Sequence, residues 1–355
     1  MNAKAVDTLA VLRRFAPGTD LRDAVELILR QGTGGLILFG AGSSIDEVCS
    51  GGFFLQDVSF TAQRVAELAK MDGGIVVDEA ATAIRRANVH FIPDPTLATK
   101  ETGTRFRTAE RLAAQTGAPV LAVSEEGTSL ASVFLGGSRY ELRRPTDLQA
   151  EANQMLNSLE RLRRRLADAE DHLTRNEVDD LVTVRDVVLL LQRAALIRRL
   201  DERVERTVVE LGGEGKLLSI QAADLVEGVG ELATLVYADY SKRRGRPANP
   251  VLDRLGQFVT DDLYDMSAVV NALGLDPLDT SVRPRGWRAL SRVPRLPETV
   301  KESLIGHFRD FQKLLHADVA QLDKVEGVGQ ARARQLRSYL DRLLEVGSIW
   351  GVIAD

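Results

Sequence analysis

Between residues 148 and 210 the chain contains no proline, and Leu156, Leu159, Leu162 and Leu166 recur at the spacing that lines one face of a helix. Proline inside a helix removes a backbone donor and collides with the preceding turn, so a stretch of this length without one can stay helical throughout. The run RLRRRLADAED covers the opposite face. Its acids interrupt the arginines, and that mixture fits a solvated, ion-paired face better than a nucleic-acid patch. The pattern predicts one long helix or a helical pair, broken at Gly212-Gly213 and resumed as another helix from Leu225 to Tyr240.

Ahead of Pro145 the texture is different. Apolar residues at three-and-four spacing predict helices over Val6 to Phe15 and Leu21 to Arg30, the second behind a Pro-Gly-Thr-Asp stop-and-cap signal. Gly34 to Phe39 reads as a short buried strand closed by Gly40-Ala41-Gly42. A dinucleotide fingerprint fits poorly there, because the third glycine is missing and SSIDEVCSGG is too short for a crossover helix. A helix over Phe60 to Lys70 with Thr61 as its cap, strands at Ile75 to Val77, Ala87 to Ile92, Val120 to Ser124 and Ser129 to Phe134, and a helix from Thr108 to Thr116 complete an α/β domain with a mixed sheet.

A length of 355 residues calls for two or three domains, and 44% hydrophobic with 27% charged residues suffices for a core in each. The formal net charge of −5 excludes a uniformly basic coat, so any contact with DNA must be local. The single cysteine, Cys49, excludes an intramolecular disulfide framework, and its apolar neighbours suggest a buried thiol. Charges run through the first residues, unlike a secretory signal, and no stretch approaches the roughly 20 apolar residues of a membrane span. A cytoplasmic protein with no membrane partner is expected.

The chemistry concentrates between Met71 and Thr108. Asp72 is followed at once by Gly73 and Gly74, which lets the backbone approach a ligand while the same turn presents a carboxylate. Thr104, Arg105, Arg107 and Thr108 offer two guanidinium forks and two hydroxyls, donors suited to a polyphosphate. An acid for a divalent metal together with donors for phosphate points to nucleotide chemistry. Ser124 ends the strand VLAVS, where its hydroxyl either reaches a ligand in a cleft or simply closes a turn.

Residues 324–329 read KVEGVG between a short amphipathic helix, Val319 to Leu322, and a long one, Ala331 to Leu344, the arrangement of a helix-hairpin-helix. Gly327, Val328 and Gly329 let the turn lie against a phosphate backbone, the next helix start offers its amides, and Lys324, Arg332 and Arg334 add charge. Such contacts hold DNA without reading bases, and a hairpin used for packing or dimerisation is the competing reading. Arg283, Arg285, Arg288, Arg292 and Arg295 form a local basic stripe ahead of the module, and SKRRGRP at 241–247 a second. The earlier copy, LVEGVG at 225–230, is expected to be a coincidence or an irregularity within a helix.

Asp72-Gly73-Gly74 and Arg105-Phe106-Arg107, with KMDG, PDP and ETGTR in order, resemble the DGA and RHR motifs of diadenylate cyclases. The helical middle and C-terminal hairpin extend this resemblance over nearly the whole chain to the DisA family of DNA-integrity scanning cyclases. The resemblance implies a cyclase domain over 1–147, a helical linker over 148–285 and a helix-hairpin-helix DNA-binding domain over 286–355. It implies condensation of two ATP into cyclic di-AMP with Mg²⁺ or Mn²⁺, within a homo-octamer associated with the nucleoid, regulated by branched or recombination-intermediate DNA in a DNA-damage checkpoint. By the family pattern Asp72 binds the metal and helps activate the 3′-hydroxyl, Arg105 and Arg107 act in catalysis, Gly73 and Phe91 line the nucleotide site, and Thr104, Arg105, Phe106, Arg107 and Thr108 hold phosphates, with Ser124 nearby. The family's central histidine is Phe106 here, its alanine is Gly74, and Phe91 stands where leucine is common. Phenylalanine cannot donate to a phosphate. A slow cyclase, or a weak or inactive homologue serving as an oligomeric nucleotide- and DNA-binding sensor, both agree with this pattern.

Overall fold

A computed structural model describes residue 10 and residues 12–125, 131–242, 251–258 and 260–351. By internal contacts the chain forms two units, one running to Gln154 and including Glu205–Ser219, the other comprising Met155–Val204 and the residues from Ile220 onward.

The first unit is built on β1 (Gly35–Phe39), whose GLILF run is buried on both faces. Strands β2 (Cys49–Ser50), β3 (Phe53–Ser59), β4 (Gly74–Val77), β5 (Ala83–Phe91), β6 (Val120–Val123), β7 (Ala131–Leu135) and β8 (Ser138–Glu141) complete one sheet in the order β2-β5-β4-β1-β6-β7-β8, with β3 also on β5. Only the β1–β4 pair is parallel among the described pairings, so the sheet is mixed, as expected. Alternation along β1 divides the core. Ile37 and Phe39 meet α1 (Asp20–Gln31) and α3 (Ala62–Leu68), whereas Leu38 joins Leu112 and Ala113 of α4 (Thr104–Thr116) on the other face; a short α2 spans Ser43–Asp46. Thr19 and Thr61 cap α1 and α3 by accepting from the backbone N–H of Arg22 (3.2 Å) and Arg64 (3.3 Å).

Three strands escape the sequence reading. β2, β3 and β8 lie at or near the sheet edges, and Phe53 and Phe54 of β3 are 58% and 73% exposed, so no alternating apolar face marks the strand. β5 begins at Ala83 rather than Ala87, and α4 begins at Thr104 rather than Thr108. Cys49 is half-buried rather than buried, and partial burial pushes its thiol pKa up. Of the first expected helix, Ala10 and residues 12–14 are described and are helical; residues 129 and 130 of the expected 129–134 strand lie outside the described residues.

The proline-free stretch forms a helical pair, Pro145–Val178 and Val184–Leu211, with Leu156, Leu159 and Leu166 buried along it. The single helix expected over Leu225 to Tyr240 is broken. Gly228 takes a left-handed φ of 73° between helices Lys216–Val226 and Val229–Tyr240, so the first VEGVG copy is a turn in its own right.

In the second unit four of the five stripe arginines are engaged within the chain, while Arg295 is exposed. Arg283 donates to Asp180 (2.8 Å), Arg285 to the carbonyls of Ala238 (2.6 Å) and Ser241 (2.5 Å), and Arg292 pairs with Glu170. Arg288 is buried, paired with Glu177 and bonded to Thr174 Oγ1 (2.9 Å), while Tyr240 donates to the same Glu177 (2.6 Å). Beside them Asp239 accepts the backbone N–H groups of Gly286, Trp287 and Arg288 (2.7, 2.6 and 3.0 Å), and burial pushes its carboxyl up to about 7. SKRRGRP beyond Lys242 lies outside the described residues. Removing one member of a buried ion pair strands the other charge, at a cost of about 3–5 kcal/mol. Arg288→Met is therefore expected to lower the unfolding free energy by about that amount, and Glu177→Leu in the same chain to recover most of it, as measured by denaturant titration.

Candidate functional site

The turn after α3 presents Asp72 at the surface and leads through Gly73 into β4. Gly73 donates its backbone N–H to Asn88 Oδ1 (3.1 Å), and a Cβ on Gly73 would lie 2.6 Å from Asn88 Cα, so only glycine fits. Asn88 has a left-handed φ of 58° where the β4–β5 register shifts. Asparagine tolerates that conformation, and its side chain ties the Asp72 turn to β5. The sequence reading missed Asn88; an asparagine inside a strand-like run is its only signal.

Gly74 meets β5 in a second way. A Cβ on Gly74 would lie 2.6 Å from Phe91 Cδ2, inside the ring's van der Waals envelope. Phe91 thus occupies the volume that an alanine methyl at 74 would need.

These residues border a cavity of about 540 Å³. Asp72, Gly73 and Phe91 reach it from β4 and β5, Thr104, Arg105, Phe106 and Thr108 from the start of α4, and Ser124 from the end of β6. Gly103 caps α4 without a side-chain bond, which leaves the first-turn amides at the cavity wall as anion donors. The Thr108 hydroxyl donates to the Thr104 carbonyl (2.9 Å). Arg107 is exposed and is not among the lining residues, because two residues along a helix from Arg105 is the opposite side. Phe106 packs edge-on against Phe134, centroids 6.1 Å apart, with the Arg139 guanidinium 5.1 Å from its ring centre. Sequence reasoning also missed Glu125, a lining residue that pairs with Arg105.

Among the described residues no cluster of three or more His, Cys, Asp or Glu side chains could enclose a metal. The exposed Asp72 carboxylate alone suits Mg²⁺ or Mn²⁺ held between one carboxylate and substrate phosphates, the usual mode for nucleotide-bound magnesium.

At the C-terminus, helix Val319–Asp323 and helix Gln330–Gly351 flank a turn in which Gly327 has φ 82° and Val325 and Val328 are buried. Lys324, Gly329 and Arg334 are exposed, while Arg332 folds back onto the Gly327 carbonyl and Arg334 reaches Gln330 (3.4 Å). The Gly228 turn repeats this geometry with Val229 buried.

Residues 22–138 match the family model described as DisA bacterial checkpoint controller nucleotide-binding, and residues 142–281 its linker region. Proteins named DNA integrity scanning protein DisA from Acidothermus cellulolyticus and Kineococcus radiotolerans are 45% and 46% identical, each over 95% of this chain and 93% and 94% of their own lengths. The one from Streptomyces coelicolor is 44% identical over 95% of this chain and 91% of its length. The chain belongs to the DisA family. Its first unit carries the family's nucleotide-binding domain on the mixed sheet, and the helical pair falls in the linker region. A crystal structure of a DacA double mutant from Staphylococcus aureus covers 39% of this chain at 20% identity, with a TM-score of 0.29.

Gly74 and Phe91 are coupled in volume, since the ring fills the space that a methyl at 74 would need. Gly74→Ala is expected to destabilise the protein by about 1–3 kcal/mol through overpacking, and Phe91→Leu to relieve most of that loss. Thermal melts of both single variants and the double variant check the coupling.

Proposed function

We propose that this chain is a diadenylate cyclase that condenses two ATP into cyclic di-AMP and two pyrophosphates, coupled to scanning of DNA. The observation that carries the reading is the convergence on one cavity of the Asp72 turn, the open N-terminus of α4 and the Arg105 guanidinium. A volume of about 540 Å³ suits one nucleotide.

In that reading the α4 amides, Thr104 and Arg105 hold the phosphates, Phe91 lies toward the nucleoside, and the Ser124 hydroxyl approaches the same ligand. Asp72 helps to activate the 3′-hydroxyl. Bound Mg²⁺ or Mn²⁺ beside Asp72 would supply charge neutralisation at the phosphates. Each 3′-hydroxyl attacks the α-phosphate of the other nucleotide and expels pyrophosphate, so two sites face each other and the working unit is an oligomer, in our reading an octamer. Arg107 has no part within one chain's cavity.

The turn at Gly327–Gly329 would act as a helix-hairpin-helix, holding the backbone of branched DNA in the cytoplasm, at the nucleoid. Lys324→Ala with Arg334→Ala is expected to weaken binding and to flatten the plot of log affinity against log salt by about 0.9 per lost phosphate contact.

A second reading rests on Phe106, which contributes ring packing and no donor. It makes the chain a nucleotide-binding homologue of low turnover. Incubation with ATP and Mg²⁺ or Mn²⁺, with chromatography and mass detection of cyclic di-AMP, decides between the two. The cyclase reading expects product that disappears in Asp72→Asn; bound ATP without product selects the second.

A further inference from the structure

Arg105 is held in place before any ligand arrives. Its Nη2 pairs with Glu125, its Nη1 donates to the Val123 carbonyl (3.3 Å), and its guanidinium lies over the α-carbon of Gly34, where a Cβ would come 2.8 Å from Cζ. Gly34 has φ 67°, so glycine at this position serves both the turn and the close approach. The pair is not a rigid buried one: the side chains of Arg105 and Glu125 are 28% and 55% exposed.

Arg105 is the only arginine or lysine among the described residues lining the cavity, and two carboxylates, Asp72 and Glu125, line it as well. A polyphosphate entering there meets a guanidinium fork already engaged by an acid. Carboxylate and phosphate seek the same donors in the same planar geometry, so they compete for them. The carboxylate that remains also repels the incoming charge.

We propose that Glu125 is a specificity-setting residue that occupies Arg105 in the free protein and must be displaced by the phosphate chain, so that it sets the affinity for polyphosphate ligands. The proposal rests on the nucleotide reading of this cavity. Glu125 gives way because it sits half-exposed just past the end of β6, while Arg105 keeps its Val123 and Gly34 contacts throughout. Ligands lacking phosphate escape the competition altogether.

The test is Glu125→Gln in the full chain, titrated by calorimetry with ATP and with adenosine, at low and moderate salt. ATP should bind more tightly to the variant, roughly two- to fivefold for removal of one partly exposed opposing charge, with the difference shrinking as salt rises. Adenosine should bind both proteins alike. ATP binding that is unchanged or weaker in the variant would overturn the proposal while leaving the nucleotide reading intact, since it would make Glu125 a support for Arg105. Equal tightening for ATP and adenosine would overturn it too, by showing a general change in the cavity. Absence of ATP binding in both proteins would sink the nucleotide reading and this proposal together.

Discussion

The approach of β5 to β4 at Gly73 and Gly74 is the constraint on which the candidate site depends. Two consecutive residues without Cβ atoms let Asn88 and Phe91 come down onto the neighbouring strand at a distance no side chain would allow. One contact is a hydrogen bond from a backbone amide to the Asn88 side chain, and the other is the Phe91 ring resting where a methyl would be. Together they fix the path of the chain just after Asp72. The carboxylate is exposed, but its backbone is anchored by buried strands on both sides. A mobile acid on a free loop would lose this orientation; a turn pinned to β5 presents it to the cavity with little conformational freedom left to surrender on binding.

Much of this was legible in the sequence, because the signals were local. Threonine caps, the apolar run of β1 and the Asp-Gly-Gly turn each act through neighbouring residues, and each appears where it was expected. What escaped acts across the sheet. Asn88 meets Gly73 from 15 residues away, and Glu125 meets Arg105 from 20. Neither has a periodicity or a spacing that distinguishes it. The start of α4 was placed late because Thr104 to Arg107 read as a set of ligand donors, whereas they are also its first turn.

The arginines of the second unit show what local composition leaves out. Five arginines without an acid between residues 280 and 297 suggested a basic face. Their acids lie elsewhere in the chain: Asp180, Glu170 and Glu177 come from segments more than 100 residues away, and Arg285 meets carbonyls instead. Local composition cannot report such pairing, since a guanidinium looks the same in sequence whether it faces solvent or a buried carboxylate. Arg295, Lys324 and Arg334 stay exposed, the last two beside the exposed Gly327 and Gly329.

The three departures from the family pattern have different physical standing. Gly74 and Phe91 balance each other in volume, so the cavity wall stays continuous and the strand pairing survives. Phe106 has no such counterpart in chemistry. Its ring is satisfied, set between Phe134 and the Arg139 guanidinium, so phenylalanine here adds packing in a unit that can hold it. That packing stabilises the first turns of α4, the segment whose amides and arginine face the cavity. What phenylalanine lacks, compared with histidine, is a donor at the cavity wall. Stability and chemistry therefore pull apart at this one position. Arg105, the one arginine or lysine among the described lining residues, is engaged by Glu125, so with phenylalanine at 106 this wall of the cavity carries its cation already paired.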